Sequence, residues 1–414
     1  GKVSPSRTIT YTQKTKVKSK GKFSRPKWMT KKCLIITGII FGILAIVAIV
    51  IPIAIIFSRH GTTSTTTVYT PVYSAYWSLD GNGNDMYSVY NGTISGSWIY
   101  YASGSTYFTT GQSLYMYSGT NNFFQMTTYF NLTYQSFTVE MWIYPTTLSG
   151  DNPLFSQCTC TSCTSQCLFL IFRSSQLYMG FNFNDLQGST TFSTNTWYHV
   201  SFVYNYQTSQ QIIYIDGVQD AIRSSVTTPY LGSNGTIYFG YSILSGSSSQ
   251  YYGYIDNVAL TTRAKSTSEI LTDATQIFYY SFDQPNPYYD NGVNHINSTN
   301  YNSLTASSGR VKQGIRFTTT SSYFQMYSFS QFGVYNYKPW TFAVWIYPTS
   351  VAGVGSVAVP NYYTSGGQMY VTLGYAWGSC EGYVPCTGYQ GSMDEFYAYR
   401  RELSASEIHS LANP

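Results

Sequence analysis

The sequence is poor in charged residues and in histidine. Asp, Glu, Lys and Arg together make up 9% of the 414 residues, and histidine occurs four times. So little charge excludes both a polar disordered chain and a long charged coiled coil. Aromatic residues, by contrast, reach 18%, and 43 of them are tyrosine. The chain is therefore predicted to be largely folded and rich in β-strand.

The formal net charge of +5 comes from one end of the chain. Residues 1–32 contain eleven Lys and Arg and no Asp or Glu, which leaves eleven basic against seventeen acidic residues beyond Cys33. The remainder of the chain is mildly acidic, whereas nucleic-acid binding needs a basic surface. Nucleic acid is therefore not a predicted partner.

An uncharged run of 25 residues, Cys33–Phe57, follows the basic tail. As a helix it would extend about 37 Å, enough for a hydrocarbon core of about 30 Å. Lys31 and Lys32 flank one end and Arg59 the other, so the positive-inside rule places the N-terminus in the cytosol. The prediction is a single-pass type II plasma-membrane protein with a cytosolic tail, a transmembrane signal anchor and an extracellular remainder. The boundaries are 1–32 for the tail, 33–57 for the anchor and 58–71 for a Thr-rich stalk.

Six of the seven cysteines follow this run, and an even number suits disulfide bonds in an oxidising compartment. Four of them cluster within ten residues, where zinc binding is the alternative. Nested pairing keeps partners nearly opposite across a hairpin, whereas crossed pairing needs a larger offset. The favoured pairs are Cys158 with Cys167, Cys160 with Cys163, and Cys380 with Cys386.

Four N-glycosylation sequons also lie beyond the uncharged run. Because such sites are glycosylated on the exported side of a membrane, they agree with the predicted topology. The acceptors are Asn91, Asn131, Asn234 and Asn297.

Beyond Pro71 the sequence consists of short alternating apolar runs separated by Gly, Ser, Asn and Thr, which is typical of a sandwich or barrel. Two unequal repeats are visible in it. Each ends with the S-x-x-E spacing of a helix capping box. The matching segments are 75–80 with 278–283, 123–126 with 323–326, 137–146 with 340–349, and 253–269 with 391–407.

These motifs resemble the laminin-G-like branch of the concanavalin A-like lectin/glucanase superfamily. The resemblance rests on F-T-V-x-x-W-I-x-P at 137–145, T-W-Y-H-V at 196–200, Y-I-D-G at 214–217 and the closing G-Y-I-D at 253–256. It implies an all-β fold of jelly-roll sandwiches, each made of two antiparallel sheets. It also implies binding of glycans or protein ligands, often with calcium. The predicted domains are 72–275 and an abbreviated second unit, 276–414.

The second repeat is the shorter one. Trp142 and Asp256 are 114 residues apart, whereas their counterparts Trp345 and Asp394 are 49 apart. Several strands are therefore missing, and the second sandwich is predicted to be incomplete, with unpaired sheet edges. It would be completed against the first repeat or by a strand from another molecule.

Carboxylate and amide side chains cluster where each repeat opens and closes. Oxygen ligands of this kind suit calcium, and in the resembled family the opening loop and the closing strand approach one another. The alternative is an Asx-rich turn held by its own hydrogen bonds. The predicted calcium ligands are Asp80, Asn82, Asp85 and Asp256, with Asp283, Asp290 and Asp394 in the second repeat.

Alternation along the two W-I-Y-P strands places Trp142 and Tyr144, and equally Trp345 and Tyr347, on the face opposite the aliphatic residues. Such rings could stack on sugars, and these four residues are the predicted ligand-binding set. The alternative is that they lie beneath a loop or another domain.

A catalytic pattern is absent from the sequence. A glycosidase needs two carboxylates facing one bond, and the E-x-D-x-x-E stretch of the glucanase relatives does not occur. The chain is therefore predicted to be no enzyme but a membrane-anchored binding or adhesion glycoprotein that recognises glycans or glycoproteins. The alternative is a structural surface protein that self-assembles into a coat or filament through its Tyr-rich faces and incomplete second sandwich.

Overall fold

The computed structural model describes eleven stretches of the chain. All of them lie in the compact unit Pro71–Pro414. The predicted tail, anchor and stalk therefore lie outside the described residues. The stretches are 74–103, 111–117, 119, 121–244, 249–296, 299–329, 339–350, 355–356, 358–361, 369–375 and 387–414.

The predicted localisation requires a correction. Within the stretches just given, no helix is long and apolar enough to cross a membrane. The two described helices have nine and eight residues, and nine residues extend about 14 Å, half of a hydrocarbon core. The structure thus contradicts the prediction of a type II plasma-membrane protein. The uncharged run on which that prediction rests, Cys33–Phe57, lies outside the described residues.

The described chain is an all-β sandwich. Its first part, residues 74–275, is called the first lobe and contains fifteen described strands. They are β1 Ala75–Trp77, β2 Thr93–Ser95, β3 Ile99–Ser103, β4 Gln112–Met116, β5 Phe123–Met126, β6 Phe137–Pro145, β7 Asp151–Cys158, β8 Cys167–Arg173, β9 Gln176–Gly180, β10 Leu186–Gln187, β11 Tyr198–Asn205, β12 Gln210–Ile215, β13 Val218–Arg223, β14 Ile237–Phe239 and β15 Gly253–Thr261.

These strands form two antiparallel sheets that enclose one hydrophobic core. The eight-stranded sheet has the order β13-β12-β11-β6-β15-β4-β3, with β1 also paired to β15, and the seven-stranded sheet has the order β10-β9-β8-β7-β14-β5-β2. Alternation decides which residues face inward. On β6, Phe137, Val139, Met141 and Ile143 are fully buried in the core, and burying a side chain of this size contributes about 1.5–3 kcal/mol.

Residues 276–414, the second lobe, contain eleven described strands around a separate core. The main sheets have the order β16-β26-β19-β18, with β21 also paired to β26, and β17-β20-β24-β23; β22 and β25 form a parallel pair. The strands are β16 Gln276–Tyr280, β17 Thr299–Asn302, β18 Leu304–Ser308, β19 Gln313–Phe317, β20 Tyr323–Phe329, β21 Thr341–Pro348, β22 Gly355–Ser356, β23 Ala358–Asn361, β24 Met369–Leu373, β25 Thr387–Gly388 and β26 Gly391–Tyr399.

Each lobe ends with a short helix that begins at a capping box, as the sequence predicts. Helix α1 spans Thr267–Thr275 with Ser266 as its N-cap, and helix α2 spans Ala405–Ala412 with Ser404 as its N-cap. In both, the cap hydroxyl accepts from the amide three residues on, and the glutamate there accepts from the cap amide. These reciprocal bonds satisfy donors that a helix start leaves unpaired.

The lobes differ at one sheet edge. In the first lobe β6 pairs with β15 on one side and with β11 on the other. In the second lobe the equivalent strand β21 pairs with β26, and no described strand pairs with its other edge. The T-W-Y-H-V and Y-I-D-G segments that form β11 and β12 have no counterpart in the second repeat, which explains why this edge differs.

The two lobes meet without a linker, because α1 ends at Thr275 and β16 begins at Gln276. Arg400, after β26, holds the junction. Its guanidinium forms an ion pair with Asp216 of the first lobe (3.0 Å), and its Nε donates to the Ala274 carbonyl oxygen (3.0 Å).

Candidate functional site

A row of five aromatic residues crosses the outer face of the eight-stranded sheet, on the side away from the core. Cross-strand pairing aligns Tyr100 with Tyr115, Tyr115 with Tyr254, and Tyr254 with Tyr144. Trp197 directly precedes β11 and continues the row beside Tyr144, at a ring centroid distance of 5.5 Å. These five residues, from β3 to β11, are called the aromatic row.

The rings of the row differ in orientation. Tyr115 and Tyr254 stack face to face at 4.1 Å. Tyr100 and Tyr144 stand almost perpendicular to them, at centroid distances of 5.6 Å each. Tyr100 is 45% exposed, and the other members of the row are half-buried. The surface therefore offers both ring faces and phenolic hydroxyl groups.

The fold itself does not require this row. In the second lobe, strand pairing aligns Thr305 with Arg316, Arg316 with Ser392, and Ser392 with Tyr347. These are the positions that correspond to the first four members of the row, and one of them is aromatic. Strands of the same topology thus form without the aromatic side chains, which marks the row as a feature of the first lobe's surface rather than of its folding.

Trp142, predicted to bind ligand, lies inside the protein. It is 3% exposed, its ring packs edge-on against His199 at 5.2 Å, and the guanidinium of Arg400 lies 4.6 Å above it. The second lobe thus covers this tryptophan, which agrees with the alternative that such rings lie beneath another domain. Tyr144 of the same predicted pair belongs to the aromatic row.

Trp345, Tyr347 and Asp394, three predicted residues of the second lobe, line one recess of about 300 Å³. Arg310, which the sequence did not single out, joins them, with its guanidinium carbon 5.0 Å from the centre of the Trp345 ring. The recess is called the β21 recess.

Two of the predicted calcium ligands hold the first strands of their lobes in place. The Tyr76 amide donates to Asp85 Oδ1 (2.9 Å), and the Tyr279 amide donates to Asp290 Oδ1 (2.8 Å). Asp85 accepts further bonds from the amides of Val89 and Tyr90, and Asp290 from those of Gly292 and Ile296. Burial raises the pKa of Asp290 to about 7, and these amide donors act against the rise.

Asp80 and Asp283 likewise hold equivalent positions in the two repeats. Each accepts from the amide of a glutamine, Gln112 or Gln313, at 2.8 and 3.0 Å, and Asp283 also pairs with Lys312. Asn82 accepts from the Asn84 amide (2.9 Å) within the same turn. Burial raises the pKa of Asp256 well above its ordinary value, and the negative charge of Asp80 adds to this rise.

These contacts bear on the predicted calcium site. Calcium takes six to eight oxygen ligands, whereas several of the carboxylates already accept backbone hydrogen bonds. Among the described residues, no group of three or more His, Cys, Asp or Glu side chains could hold a metal ion. The hydrogen-bonded turn at residues 80–85 has the character of the Asx-rich alternative. Calcium binding stays a prediction of the sequence.

A buried group of three charges lies between β6 and α1. Lys265 forms ion pairs with Glu140 and with Asp273 (2.6 Å), and all three side chains are almost fully enclosed. Burial raises the pKa of Glu140 to about 7, and Lys265 opposes that rise. Burial acts to lower the pKa of Lys265, but the two carboxylates hold it above its ordinary value. The three residues are called the ion triad.

The ion triad offers no room for a substrate. The cavity beside it, which Glu140, His199 and Asp273 help to line, has a volume of about 20 Å³, which suffices for about one water molecule. Burial lowers the pKa of His199 to about 3, so this imidazole is neutral at physiological pH. Glu140 accepts a further hydrogen bond from Ser201 (3.2 Å). The three charged side chains of the triad are thus paired with one another.

The cysteine cluster sits at the tip of the hairpin formed by β7 and β8. Cys158 is bonded to Cys167, and Cys160 to Cys163, which is the nested pairing that the sequence favours. The third predicted pair, Cys380–Cys386, lies outside the described residues. The two bonds close the tip of this hairpin.

Three predicted glycosylation sites have exposed side chains: Asn91, Asn131 and Asn234. The fourth, Asn297, lies outside the described residues. Exposure is what an acceptor asparagine requires, and glycosylation stays a prediction.

Sequence reasoning missed four members of the aromatic row: Tyr100, Tyr115, Trp197 and Tyr254. Each was visible as the polar-face position of an alternating strand or as its flank. The missing information was the register, because strands distant in sequence must pair before their outward residues form a row. Tyr144 alone was found, since it belongs to the W-I-Y-P motif.

Three comparisons with known proteins were informative to different degrees. A laminin G family model, described as the concanavalin A-like lectin/glucanases superfamily, matches residues 118–271. No curated protein sequence matches the chain. Three solved structures that resemble the fold are described next, and each has at most 18% sequence identity with this chain.

One such structure is domain 4 of AbnA, an extracellular arabinanase from Geobacillus stearothermophilus, in complex with arabinotriose. It has 17% identity and a TM-score of 0.38, covering 48% of this chain and 96% of that one. The binding domain of Paraclostridial Mosquitocidal Protein 1 has 14% identity and a TM-score of 0.40, covering 76% and 72%. A pentraxin from Limulus polyphemus has 18% identity and a TM-score of 0.29, covering 34% and 70%. At TM-scores below 0.5 these similarities carry no argument about the ligand.

The family match covers β5 to β15 and extends into α1, which includes three members of the aromatic row, Tyr144, Trp197 and Tyr254. Its boundaries agree with the motifs at 137–145, 196–200, 214–217 and 253–256. Residues 118–271 thus match the laminin G family model of the concanavalin A-like lectin/glucanases superfamily, in agreement with the resemblance that these motifs indicate.

Proposed function

We propose that this protein is a non-enzymatic binding protein that recognises glycans, free or on glycoproteins, through the aromatic row of the first lobe. The observation that carries the proposal is the cross-strand alignment of Tyr100, Tyr115, Tyr254 and Tyr144 on an outer sheet face. In this proposal the chain carries two laminin-G-like jelly-roll units, the second of them abbreviated.

The chemistry of the row suits a neutral sugar chain. The C–H face of a sugar ring packs on an aromatic face, and its hydroxyl groups exchange hydrogen bonds with phenols. Tyrosine also offers this contact at a small cost in rotamer entropy. No member of the row is a charged residue, so recognition would rest on stacking and neutral hydrogen bonds.

The non-enzymatic part of the proposal rests on Glu140. It is the one carboxylate on β6, and it is enclosed with Lys265 and Asp273 beside a cavity of about 20 Å³. A glycosidase needs two carboxylates on either side of an accessible bond. A substrate could not reach this glutamate without displacing α1.

A glycan array with the wild-type protein and the double variant Tyr115→Arg/Tyr254→Ser tests the proposal. The variant introduces the residues that the second lobe carries at these positions, so the sheet tolerates them. We expect wild-type binding to a defined set of glycans and at least a tenfold loss in the variant, the equivalent of about 1.4 kcal/mol.

Tyr129→Ser is the matched control, because Tyr129 is an exposed tyrosine of the same lobe outside the row. It should leave binding unchanged. Equal binding by the wild type and the double variant would refute the aromatic row as the binding surface, and the absence of any glycan signal would refute the function.

A second candidate function, self-assembly into a coat or filament, is favoured by the edge of β21 with which no described strand pairs. Ile346 and Tyr347 on this strand are exposed, and a groove of about 450 Å³ lies between β21 and α2. The groove is lined by apolar residues that include Leu403, Ile408 and Leu411. An exposed, apolar edge strand is a site where a second copy of the chain can add a strand.

Light scattering over a hundredfold range of protein concentration tests self-assembly. We expect the mass to rise with concentration in the wild type and to stay at that of one chain in Ile346→Lys, because a charge on an edge strand opposes pairing. Val218→Lys, an exposed edge position of the first lobe, is the control. A wild type that remains one chain throughout would exclude this second function.

A further inference from the structure

The β21 recess is a concave site in the second lobe, separate from the aromatic row. It lies on the outer face of the sheet, between β21, β26 and the turn that joins β18 to β19. Its volume of about 300 Å³ is at the lower end of the range for ligand pockets. The residues used below are Arg310, Trp345, Tyr347 and Asp394.

Asp394 points to a ligand from outside the chain. It is 3% exposed, and the Val311 amide donates to its Oδ2 (2.9 Å). Its other carboxylate oxygen, Oδ1, accepts no hydrogen bond of good geometry from a described residue, although the backbone amides of Arg310 and Glu395 also act on this carboxylate. A buried acceptor without a donor is unfavourable, so a donor supplied by a bound molecule would stabilise it.

Arg310 and Tyr347 supply complementary groups at the same recess. Arg310 is exposed, lies over the Trp345 ring at 5.0 Å and forms no ion pair with a described residue. Tyr347 is 73% exposed. The recess thus combines a hydrogen-bond acceptor, a fork of hydrogen-bond donors and an accessible aromatic ring.

The first lobe has no open counterpart of this recess. At the equivalent positions, Arg400 of the second lobe covers Trp142, and the Asn257 amide donates to Asp256 Oδ1 (3.0 Å). Oδ1 thus has a well-placed amide donor in Asp256, whereas in Asp394 the corresponding Glu395 amide forms no hydrogen bond of good geometry with it. The β21 recess is therefore a property of the second lobe.

We propose that the β21 recess binds one neutral sugar unit in its ring form, as a second glycan site of this protein; the inference rests on the proposed function. Adjacent hydroxyl groups of the sugar donate to Asp394 and accept from Arg310, while its apolar face packs on Tyr347. An acidic sugar can pair with Arg310 but brings its charge near the carboxylate of Asp394, and an amino sugar can pair with Asp394 but brings its charge near the guanidinium of Arg310. A neutral sugar satisfies both groups without repulsion.

Saturation-transfer NMR titrations of the full chain test this site. The probes are methyl glucoside, methyl galactoside and methyl mannoside as neutral sugars, with glucuronic acid and glucosamine as charged ones. We expect at least one neutral probe to bind more tightly than either charged probe. Asp394→Asn and Tyr347→Ala should each weaken that binding at least fivefold.

Two comparisons separate this inference from the proposed function. The double variant Tyr115→Arg/Tyr254→Ser removes sugar binding by the aromatic row and should retain the neutral-probe binding of the recess, because the row lies in the other lobe. Tyr301→Ala, an exposed tyrosine of the second lobe away from the recess, should also leave it unchanged. Asp394→Asn preserves the size of the side chain, and Tyr347 is exposed, so neither substitution should disturb the packing of the core.

Tighter binding of a charged probe would overturn the neutral-sugar assignment. Unchanged titrations in both Asp394→Asn and Tyr347→Ala would overturn the site, even if the glycan array supports the aromatic row. Neutral-probe binding that is lost in the double variant but retained in Asp394→Asn would place the sugar on the row, and would refute the inference while leaving the proposed function standing.

Discussion

In the first lobe, β6 and α1 meet across the buried ion triad, in which Lys265 pairs with Glu140 and Asp273. In the second lobe, β21 and α2 meet across an apolar groove of about 450 Å³. The repeats align these regions residue by residue, through the W-I-Y-P strands and the capping boxes. The counterparts of Glu140, Lys265 and Asp273 are Ala343, Leu403 and Leu411.

The two helix–strand contacts differ in how completely they are enclosed. The ion triad is shielded from solvent by α1 and by the cover of the second lobe, and there each charge needs its partners in place. The groove of the second lobe is open, and Ile408 at its rim is exposed. A buried group of charges fixes the position of the helix that supplies it, whereas apolar contacts leave more latitude.

Lys265→Met should have the largest effect, because it leaves two buried carboxylates without their cation. We expect a loss of about 3–5 kcal/mol in the free energy of unfolding, measured by denaturant titration. Lys312→Met is the control, since Lys312 pairs with Asp283 at an exposed position and should cost about 0–1 kcal/mol. A similar loss in the two variants would mean that the triad is not effectively buried.

His199→Gln should change the pH dependence of stability. The pKa of His199 is lowered to about 3 in the folded protein, so below pH 6.5 the unfolded chain takes up a proton that the folded one does not. The wild type should therefore lose stability as pH falls from 6.5 towards 3, by about 1.4 kcal/mol per pH unit from this residue.

Carboxylates with a raised pKa, such as Glu140 and Asp290, act in the opposite direction in both proteins. The slope of the difference between wild type and variant therefore isolates His199. Parallel curves of unfolding free energy against pH would show that His199 is protonated in the folded state. The second lobe has no counterpart of β11, so this dependence belongs to the first lobe.

Arg400→Gln should cost about 1–2 kcal/mol, because it removes the cation–π contact with Trp142 and a partly exposed ion pair with Asp216. Arg310→Gln removes the corresponding contact with Trp345 at the open recess and should cost less than about 1 kcal/mol. Thermal unfolding followed by tryptophan fluorescence measures both. A larger loss for Arg310→Gln would mean that Trp345, and not Trp142, is the covered tryptophan.

The triple variant Glu140→Ala/Lys265→Leu/Asp273→Leu should have the smallest effect. It gives the first lobe the apolar residues of the second, and replacing a whole buried ion group is often neutral or stabilising. We expect a stability within about 1 kcal/mol of wild type in the same denaturant titration. A loss as large as that of Lys265→Met would show that the intact triad stabilises the fold more than the apolar residues that replace it.

Much of the fold could be predicted from the sequence because its signals are local. Alternation identified the inward residues of β6, the S-x-x-E spacing identified the helix starts at Ser266 and Ser404, and the cysteine spacing favoured the nested pairs. Each of these depends on residues that lie within about ten positions of one another. The repeat alignment added the correspondence between the two lobes.

The site was harder to predict because it depends on contacts between distant segments. Trp142 was assigned to the ligand surface, but Arg400, more than 250 residues later, covers it. Of the carboxylates predicted to bind calcium, Asp85 and Asp290 accept hydrogen bonds from backbone amides in the first strand of each lobe. Neither contact has a signal near the residue concerned. The localisation prediction relied on an uncharged run, its flanking charges and the sequons, which are features of the sequence alone.

The direct passage from α1 into β16 has a consequence for ligands with several sugar units. With no residue between Thr275 and Gln276, and with Arg400 clamping the junction, the distance between the aromatic row and the β21 recess is set by the fold. If both bind sugar, a glycan whose units match that distance occupies the second position at a high effective concentration. A glycan with shorter branches would bind one lobe at a time. The affinity would therefore depend on the spacing of the sugar units as well as on their chemistry.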